Sequence, residues 1–334
     1  MSKEHIFIRS DASPKIGTGH IMRSLALAQA ARVSGVPVHI TCRLEVEWVR
    51  KRLKTEFVSF YELAGLVPEI ENPEILLAQL NASKKGDWIV LDGYHFSLDC
   101  QQAVRDAGYK LLVIDDYAHL PEYSCDVLLN QNISAENFVY KGDIGQKLMG
   151  TRYALLRPEF FKARKKAEDR QFPQKARNIL LTMGGGDFSE HLARIAPDLA
   201  IAELKDCNLR IIAGAMSTER IRFLLRDCTA KLEILSRVGD MPALLLDTDL
   251  CVTASGSTCW ELCCLGVPFL TVKVAENQCD IARVLQNNCV APGYILKNFT
   301  NLMLNIAERQ KQSDAGLALV DGFGTGRVIN AMMG

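Results

Sequence analysis

The chain has 334 residues, of which 48% are hydrophobic and 23% are charged, and its 39 basic and 39 acidic side chains give a formal net charge of zero. At roughly 150 residues per domain this length predicts two domains, and the composition argues against a disordered, collagenous or coiled-coil chain. The balanced charge also argues against a dedicated nucleic-acid-binding protein, which usually carries a basic excess.

The sequence predicts neither a targeting segment nor a membrane span. The N-terminal residues MSKEHIFIR lack the long apolar segment of a signal peptide, and no apolar run reaches the length of a membrane span. We therefore expect a cytoplasmic protein whose eleven cysteines, which form no CxxC pair, are reduced thiols. Cys259, Cys263 and Cys264 share a predicted helix. Three thiols can hold a metal, but the favoured interpretation is small buried core residues.

Short apolar runs alternate with longer helical patterns through the first half of the chain. Continuous apolar strands are typical of a parallel sheet that is buried on both faces, and their alternation with helices is typical of βαβ units. The predicted strands are His5–Arg9, Pro37–Cys42, Trp88–Asp92, Leu111–Asp115 and Val127–Asn130, and the predicted helices include Ile21–Ser34 and Leu98–Ala107.

A charged segment, Lys162–Arg170, separates this half from a second strand–helix series. We interpret it as a solvated helix in a linker over residues 161–176, with a phosphate-binding basic patch as the alternative. The prediction is an α/β chain with two Rossmann-like domains facing a cleft, residues 1–160 and 177–334. The strands predicted for the second domain are Asn178–Thr182, Leu209–Ala213, Leu232–Leu235, Leu250–Thr253 and Pro268–Val272, and its last helix lies around Arg327–Met333.

A glycine-containing turn follows the first predicted strand and leads into a helix. Gly17 and Gly19 allow the backbone to approach a ligand closely, and the N–H groups of a helix start favour an anion. A dinucleotide fingerprint needs a third glycine where Met22 stands, so NAD binding is a weak alternative. His20 lies at the carboxyl edge of the predicted sheet, and it is a candidate general base. The alternative role for His20 is packing beneath the loop.

Further polar side chains follow the predicted strands of the first half. Asp11 caps the glycine turn or contacts a ligand, and Arg23 points either to the same rim or to solvent. Asp92 and Tyr94 follow another strand, where they either line a cleft or belong to an Asp-Gly turn. Asp115-Asp116 has the chemistry of a Mg²⁺ site, but a turn is the favoured interpretation.

The second half carries two loops suited to a diphosphate. One contains Gly184–Asp187, and the other, Ser255–Thr258, precedes a helix whose N-terminal N–H groups favour anions. Glu261 either accepts hydrogen bonds from a ribose diol or forms a capping box with Thr258. The amides of Asn277-Gln278 either read a base or sugar hydroxyls, or simply begin another helix.

Taken in order, these motifs resemble two related families. The second half is similar to the UDP-binding domain of GT-B glycosyltransferases, above all the N-acetylglucosaminyl transferase that makes the peptidoglycan lipid precursor, and Gly239–Asp249 resembles the segment before its diphosphate loop. The opening motif Arg9–Arg23 and the segment Gly150–Phe160 resemble the UDP-2,4-diacetamido-2,4,6-trideoxy-β-L-altropyranose hydrolases of pseudaminic acid biosynthesis. This second resemblance extends over nearly the whole chain.

The resemblance implies a hydrolase that cleaves a UDP-linked deoxy amino sugar at C1 with inversion and needs no metal or other cofactor. It implies His20 as the catalytic residue, with Tyr94 and Asn277 in the active site. The alternatives are an inverting GT-B glycosyltransferase and a non-enzymatic nucleotide-sugar-binding protein. We expect a UDP-sugar and water as partners, no nucleic acid and no membrane, and leave the oligomeric state open. We add Gly17, Gly19, Asp11 and Gln278 as substrate contacts, and Gly185, Gly186, Asp187, Val238, Ser255, Ser257, Thr258 and Glu261 as UDP contacts.

Overall fold

The computed structural model of the protein describes residues 4–56, 59–80 and 83–334. They form two compact units: unit 1 comprises the described residues up to Pro158 together with Phe323–Gly334, and unit 2 comprises Glu159–Gly322. Each unit contains its own parallel sheet, so the predicted α/β class with two Rossmann-like domains is confirmed.

Unit 1 is organised around seven parallel strands, counted over the described residues. In chain order they are β1 (Ile6–Ser10), β2 (Val38–Cys42), β3 (Ser59–Glu62), β4 (Trp88–Asp92), β5 (Lys110–Ile114), β6 (Tyr123–Asn130) and β7 (Gly142–Met149). Helices α1 (Gly19–Val33), α2 (Glu47–Thr55), α3 (Pro73–Ala78) and α4 (Leu98–Asp106) connect them. Their order across the sheet is β3-β2-β1-β4-β5-β6-β7, so the strand order reverses at β1 and β4, the place where open α/β sheets bind ligands.

Side-chain alternation along β1 explains why unit 1 has a core on both faces of its sheet. Ile6 and Ile8 pack with Ile21 of α1, whereas Phe7 points to the opposite face and packs with Ile89 of β4. Successive residues of a strand face opposite sides, so an uninterrupted apolar strand fits only a sheet that is covered on both sides. This is the pattern that the sequence predicted.

Unit 2 repeats the architecture with five parallel strands among its residues. They are β8 (Asn178–Thr182), β9 (Asn208–Ile212), β10 (Lys231–Leu235), β11 (Leu250–Ala254) and β12 (Phe269–Val272), in the order β10-β9-β8-β11-β12. The switch point lies between β8 and β11. The helices of unit 2 are α5 (Pro158–Glu168), α6 (Ser189–Ile195), α7 (Thr218–Leu224), α8 (Met241–Leu246), α9 (Thr258–Cys264), α10 (Cys279–Asn287), α11 (Leu296–Leu304) and α12 (Ile306–Leu319).

The segment predicted as a solvated linker is part of unit 2 instead. Helix α5 buries Phe160 and Ala167, and the Arg164 guanidinium donates hydrogen bonds to Leu317 O at 2.8 Å and to Cys264 O at 3.1 Å. Peptide carbonyls left open at helix ends need donors, and Arg164 supplies them. Arg164, one of the charged residues from which a solvated helix was predicted, therefore binds α5 to the other helices of unit 2.

The final helix, α13 (Gly324–Met333), belongs to unit 1 and not to the second domain as predicted. Val328, Ile329 and Met332 are buried in the core that contains α1. At the start of this helix the backbone of Gly324 passes close to the backbone of Ala154. A Cβ at position 324 would lie 2.3 Å from Ala154 O. The boundary was missed because a helical pattern near the end of a chain does not reveal which sheet it covers.

The eleven cysteines are free thiols, and Cys259, Cys263 and Cys264 are buried in the core as predicted. Burial raises the pKa of Cys259 to about 12 and that of Cys264 to about 11. Over the described residues, no group of three or more His, Cys, Asp or Glu side chains is placed to hold a metal ion. No helix in the same residues is long and apolar enough to cross a membrane.

The packing of α13 predicts the stability of unit 1. Ile329 is 2% exposed, so Ile329→Ala should lower the free energy of unfolding by about 2–5 kcal/mol, the usual effect of emptying a buried aliphatic site. Urea unfolding followed by circular dichroism measures this loss. The adjacent exposed residue gives the control, Asn330→Ala, which should unfold like wild type. Equal stability of the two variants would show that α13 does not contribute to the core.

Candidate active site

The imidazole of His20 is held by a buried carboxylate at the switch point of unit 1. His20 is the second residue of α1, Asp92 ends β4, and His20 Nδ1 lies 2.7 Å from Asp92 Oδ1. A carboxylate only accepts hydrogen bonds, so this contact assigns the hydrogen to Nδ1 and leaves the lone pair on Nε2. Among the described residues Nε2 has no hydrogen-bond partner. This is the arrangement of an oriented general base.

Arg23 joins Asp92 to a second carboxylate. Its Nε and Nη2 donate to the two oxygens of Asp92 at 2.9 and 2.6 Å, and its Nη1 donates to Asp116 Oδ1 at 2.8 Å. Residues three apart share a helix face, so His20 and Arg23 of α1 reach the same carboxylate. Arg23 Nη2 also lies 3.1 Å from His20 Nδ1, which makes the four side chains one cluster.

The charges of this cluster sustain one another. Burial alone would raise the pKa of Asp92, but the adjacent Arg23 guanidinium and His20 outweigh it and hold that pKa below its usual range. Burial likewise acts to raise the pKa of Asp116, and the charge of Arg23 reverses the effect. The two carboxylates raise the pKa of Arg23 in turn, against the effect of burial. The cluster therefore holds two anions and one cation out of water.

Tyr94, which follows the same strand as Asp92, lies beside His20. Its ring meets the His20 ring edge to face, with centroids 4.9 Å apart and an interplanar angle of 86°. Its hydroxyl donates to Asp116 Oδ2 at 2.6 Å, and Asn132 Nδ2 donates to the other oxygen of Asp116 at 2.7 Å. The strand ends of β4, β5 and β6 therefore all contribute to the surroundings of His20.

The glycine turn before α1 has the conformation that its sequence requires. Gly17 has a φ of 77° and donates a backbone hydrogen bond to Ser13 O at 2.9 Å, a left-handed geometry that favours glycine. Gly19 is exposed and begins α1. Thr18, the N-cap residue, makes no side-chain capping bond within the described residues, so the first N–H groups of α1 remain available to an anion.

Asp11, predicted to contact substrate, is instead enclosed in a separate ion-pair cluster. Its side chain is fully buried and pairs with the Arg9 guanidinium, while the backbone N–H of Arg43 donates to its Oδ1 at 2.6 Å. His95 Nε2 lies 3.0 Å from its other oxygen. The pKa of Asp11 is below its usual range because these partners outweigh burial. The predicted substrate contact of Asp11 has no support in this geometry.

In unit 2 the glycine loop follows β8 at the switch point. Gly185 and Gly186 are half-buried, and a Cβ on the neighbouring Gly214 would lie 2.7 Å from Gly186 O. Asp187 is exposed, and its Oδ1 accepts a hydrogen bond from Ser189 N at 2.9 Å, at the start of α6. The backbone of the glycine loop therefore lies so close to position 214 that a side chain there would collide with it.

The second loop of unit 2 ends β11 and begins α9. Ser257 is the exposed N-cap residue, and its side chain makes no capping bond within the described part of the chain. The helix begins at Thr258, so Thr258 is not an N-cap residue and the alternative capping box with Glu261 is absent from these residues. Ser255 differs, because it is fully buried and its hydroxyl donates to Val272 O at 3.4 Å.

Gln278 joins this loop from the end of the neighbouring strand β12. Its Oε1 accepts a hydrogen bond from Val274 N at 3.2 Å, and its Nε2 lies 3.9 Å from the position of a Cβ on Gly256. Asn277 belongs to a short 3₁₀ turn, Glu276–Gln278, and its side chain lies outside the described part of the structure. Val238 is half-buried in the loop after β10.

The sequence predicted a site that contains His20 and Tyr94, but not the contacts that hold these two side chains. Asp92 was predicted to line a cleft or to belong to a turn, Arg23 to point to the rim or to solvent, and Asp116 to belong to a turn. The structure pairs all three charges, with Asp92 and Arg23 buried and the Asp116 side chain 11% exposed. One signal was present, because an arginine three residues after a helical histidine shares its face. A turn was predicted at Asp115-Asp116 with Asp116 as the capping residue, but Asp115 caps it instead, because its Oδ1 accepts hydrogen bonds from Tyr117 N and Ala118 N.

The chain has homologues in nucleotide-sugar chemistry. No protein-family model matches it. An uncharacterized protein of Methanocaldococcus jannaschii is 26% identical over 281 residues, which cover 82% of this chain and 56% of that protein. The UDP-2,4-diacetamido-2,4,6-trideoxy-β-L-altropyranose hydrolase of Campylobacter jejuni is 30% identical over 201 residues, 58% of this chain and 65% of the hydrolase. The chain thus spans less than two thirds of the length of these two relatives.

Solved structures show the same fold. MurG of Acinetobacter baumannii matches with a TM-score of 0.68 at 16% identity, over 98% of this chain and 99% of MurG. The UDP-GlcNAc 2-epimerase of Neisseria meningitidis, solved bound to UDP-GlcNAc, matches with a TM-score of 0.61 at 11% identity, over 98% of this chain and 99% of the epimerase. The GT-B-like fold predicted from sequence is therefore confirmed, and the chain is related in sequence to a UDP-sugar hydrolase.

The charge cluster predicts a large effect of removing its cation. Arg23→Met leaves two buried carboxylates without their counter-ion, which should lower the free energy of unfolding by about 3–5 kcal/mol near neutral pH. In wild type the pKa of both carboxyls is depressed, so their stabilising effect is present above the ordinary value of 3.8 and lost as pH falls below it. Without Arg23, burial raises both pKa values, and protonation should restore part of the lost stability on acidification.

Denaturant unfolding of wild type and Arg23→Met between about pH 7 and pH 5 measures this dependence. The difference in unfolding free energy should be largest at the upper end of the range and should shrink toward the lower end. Arg222→Met, an exposed arginine on α7, is the matched control and should follow wild type throughout. A difference for Arg23→Met that does not change with pH would contradict the ion-cluster interpretation.

Proposed function

We propose that the chain is a UDP-sugar hydrolase. Water attacks C1 of the sugar, the bond from C1 to the diphosphate oxygen breaks, and UDP departs while the configuration at C1 inverts. The proposed substrate is a UDP-linked 2,4-diacetamido-2,4,6-trideoxy sugar, as in the name of the Campylobacter jejuni hydrolase, in a step of pseudaminic acid biosynthesis. The observation that carries the proposal is the His20–Asp92 pair at the switch point of unit 1.

His20 is the proposed base. Its Nε2 accepts a proton from the attacking water, which gains nucleophilicity as the C1–O bond forms. Asp92 stabilises the imidazolium that results and keeps the ring oriented through Nδ1. Arg23 acts on Asp92, because its charge keeps the carboxylate ionised and so able to accept that hydrogen bond. Tyr94, which packs edge to face on the imidazole, is proposed to contact the sugar.

UDP is proposed to bind to unit 2. The N–H groups around Gly185 and Gly186 and at the start of α9 stabilise diphosphate charge as it develops on the leaving group. Ser257 and Thr258 offer hydroxyl donors at the same helix start, and neither forms the capping box that would have occupied them. In this proposal Gln278, beside Gly256, and Glu261 read polar groups of the nucleotide or sugar.

Glycosyl transfer is the alternative reaction, and the likeness of the fold to MurG favours it. The same base would then deprotonate an acceptor hydroxyl instead of water. A non-enzymatic nucleotide-sugar-binding protein is the second alternative. It would need no base, whereas His20 carries an oriented imidazole with its Nε2 lone pair unused among the described residues. This observation favours an enzyme over a binding protein.

Removing the base tests the proposal. His20→Ala should lower kcat by roughly 10²–10⁴-fold, the usual contribution of a general base, and should leave UDP affinity unchanged, because UDP is assigned to unit 2. The assay incubates the protein with a panel of UDP-sugars, including the diacetamido sugar, without an acceptor, and measures released UDP. Wild-type kcat/KM should fall on the acid side, where a protonated imidazole cannot accept a proton, and the variant should lose that limb.

The control is His39→Ala, which removes another packed histidine of unit 1 from the strand β2, where it stacks on Phe7. It should keep wild-type turnover. Wild-type turnover in His20→Ala would place the base elsewhere. Release of UDP only after a sugar acceptor is added would make the protein a transferase.

A second substitution tests the UDP site. Replacing Ser257 and Thr258 together by valine should weaken UDP binding by at least about 10-fold, because each hydrogen bond to a charged group contributes about 1.5–3 kcal/mol. Isothermal titration with UDP measures the affinity. Thr300→Val on α11 makes the same change elsewhere in unit 2 and should bind UDP like wild type. Unchanged affinity in the double variant would remove the loop before α9 from the site.

A further inference from the structure

A second oriented imidazole lies on another side of Tyr94. The ring of His119 packs against the Tyr94 ring with centroids 5.2 Å apart and an interplanar angle of 58°. His119 Nδ1 is hydrogen-bonded to Asp115 Oδ2, which repeats the pairing of His20 with Asp92. Tyr94 is therefore packed against two imidazoles, each fixed by a carboxylate that follows or ends a neighbouring strand.

Asp115 is built to hold this second ring still. The hydroxyls of Tyr123 and Tyr140 each donate to its carboxylate at 2.9 Å, and burial together with Asp115 raises the pKa of both phenols, which keeps them as donors. Burial acts to raise the pKa of Asp115, but the hydrogen bond from His119 outweighs it and keeps that pKa low. A fully buried carboxylate with this many donors is a rigid anchor.

The backbone between the two residues is bent to bring His119 back toward the strand ends. Ala118 has a φ of 55°, a conformation that is costly for a residue with a Cβ. Its N–H donates to Asp115 Oδ1 at 2.6 Å, which holds the bend. His119 Nε2 is buried and has no hydrogen-bond partner among the described residues. The ring of His119 is therefore held against Tyr94 even though the loop is strained at Ala118 and only one nitrogen of the imidazole is hydrogen-bonded among the described residues.

We propose that His119, oriented by Asp115, is a positioning residue that fixes Tyr94 and through it the ring plane of His20. The expected effect on kcat rests on the proposed function, whereas the expected effect on the orientation of Tyr94 and His20 does not. Tyr94 is held at its hydroxyl by Asp116 and at its ring by His20, Tyr117 and His119. Without His119 the hydroxyl tether and the contact with Tyr117 remain, but the tyrosine ring loses one of its packing partners and gains freedom to turn, which loosens its edge-to-face contact with His20.

Kinetics gives the first test. His119→Ala should lower kcat about 10-fold or more with KM nearly unchanged, because small misplacements of a catalytic group are costly. Tyr94→Ala should lower kcat as well, and the double variant should be no worse than Tyr94→Ala alone, since His119 acts through Tyr94. Additive losses in the double variant, or wild-type kcat in His119→Ala, would overturn the proposal. His119→Phe, which still packs on Tyr94 but cannot bond to Asp115, should lie between wild type and His119→Ala.

Nuclear magnetic resonance gives a second test that needs no turnover. The chain has six histidines, so the ring signals of a ¹³C-histidine-labelled protein are few, and His20→Gln identifies that of His20. The His20 signal should move in His119→Ala and stay in place in His39→Ala, which removes a histidine stacked on Phe7. An unmoved His20 signal in His119→Ala would overturn the positioning role. If the alanine variant does not fold, His119→Phe takes its place, with a smaller shift expected.

The two tests separate this inference from the proposed function. If wild type releases no UDP from any sugar of the panel, the proposed hydrolysis fails, and the His20 signal alone decides whether His119 positions the site. If wild type is active and the signal of His20 ignores His119, the hydrolase proposal stands and the positioning role is wrong.

Discussion

A buried guanidinium that pairs with two carboxylates is the interaction on which the candidate site of unit 1 depends. Asp92 ends β4, and Asp116 follows the neighbouring strand β5, so parallel pairing brings two anions to one edge of the sheet. Two buried anions need a cation between them, and Arg23 supplies it from α1. Because His20 lies three residues earlier on the same helix, the ion cluster also determines where the imidazole stands.

The two units present different kinds of polar surface. Unit 1 pairs its charges among its own side chains and leaves one imidazole nitrogen, His20 Nε2, without a hydrogen-bond partner among the described residues. Unit 2 offers glycine backbone and hydroxyl groups at the ends of β8 and β11, where N–H dipoles suit an anion. A leaving diphosphate calls for the second kind of surface and proton abstraction calls for the first. The proposed division of labour follows from this chemical difference.

Regular burial made much of the fold predictable. The strands Trp88–Asp92 and Asn178–Thr182 are observed with the predicted bounds, because strands buried on both faces are written as continuous apolar runs. The edge strand Gly142–Met149 carries mostly exposed residues and gave no such pattern. The candidate site was likewise predictable only in part. His20 belongs to a local glycine turn, whereas Arg23 pairs with Asp92, which lies 69 residues further along the sequence. Pairings of that kind depend on strand order, which no local motif encodes.

The most direct test of the central claim follows the oxygen of the attacking water. The account predicts that turnover of the UDP-linked diacetamido sugar in H₂¹⁸O places the label on C1 of the free sugar and none on UDP, since water attacks carbon. The first sugar anomer seen by proton magnetic resonance should be inverted relative to the substrate. Label on the phosphate of the released nucleotide, or a retained anomer, would contradict direct attack at C1 by water activated at His20.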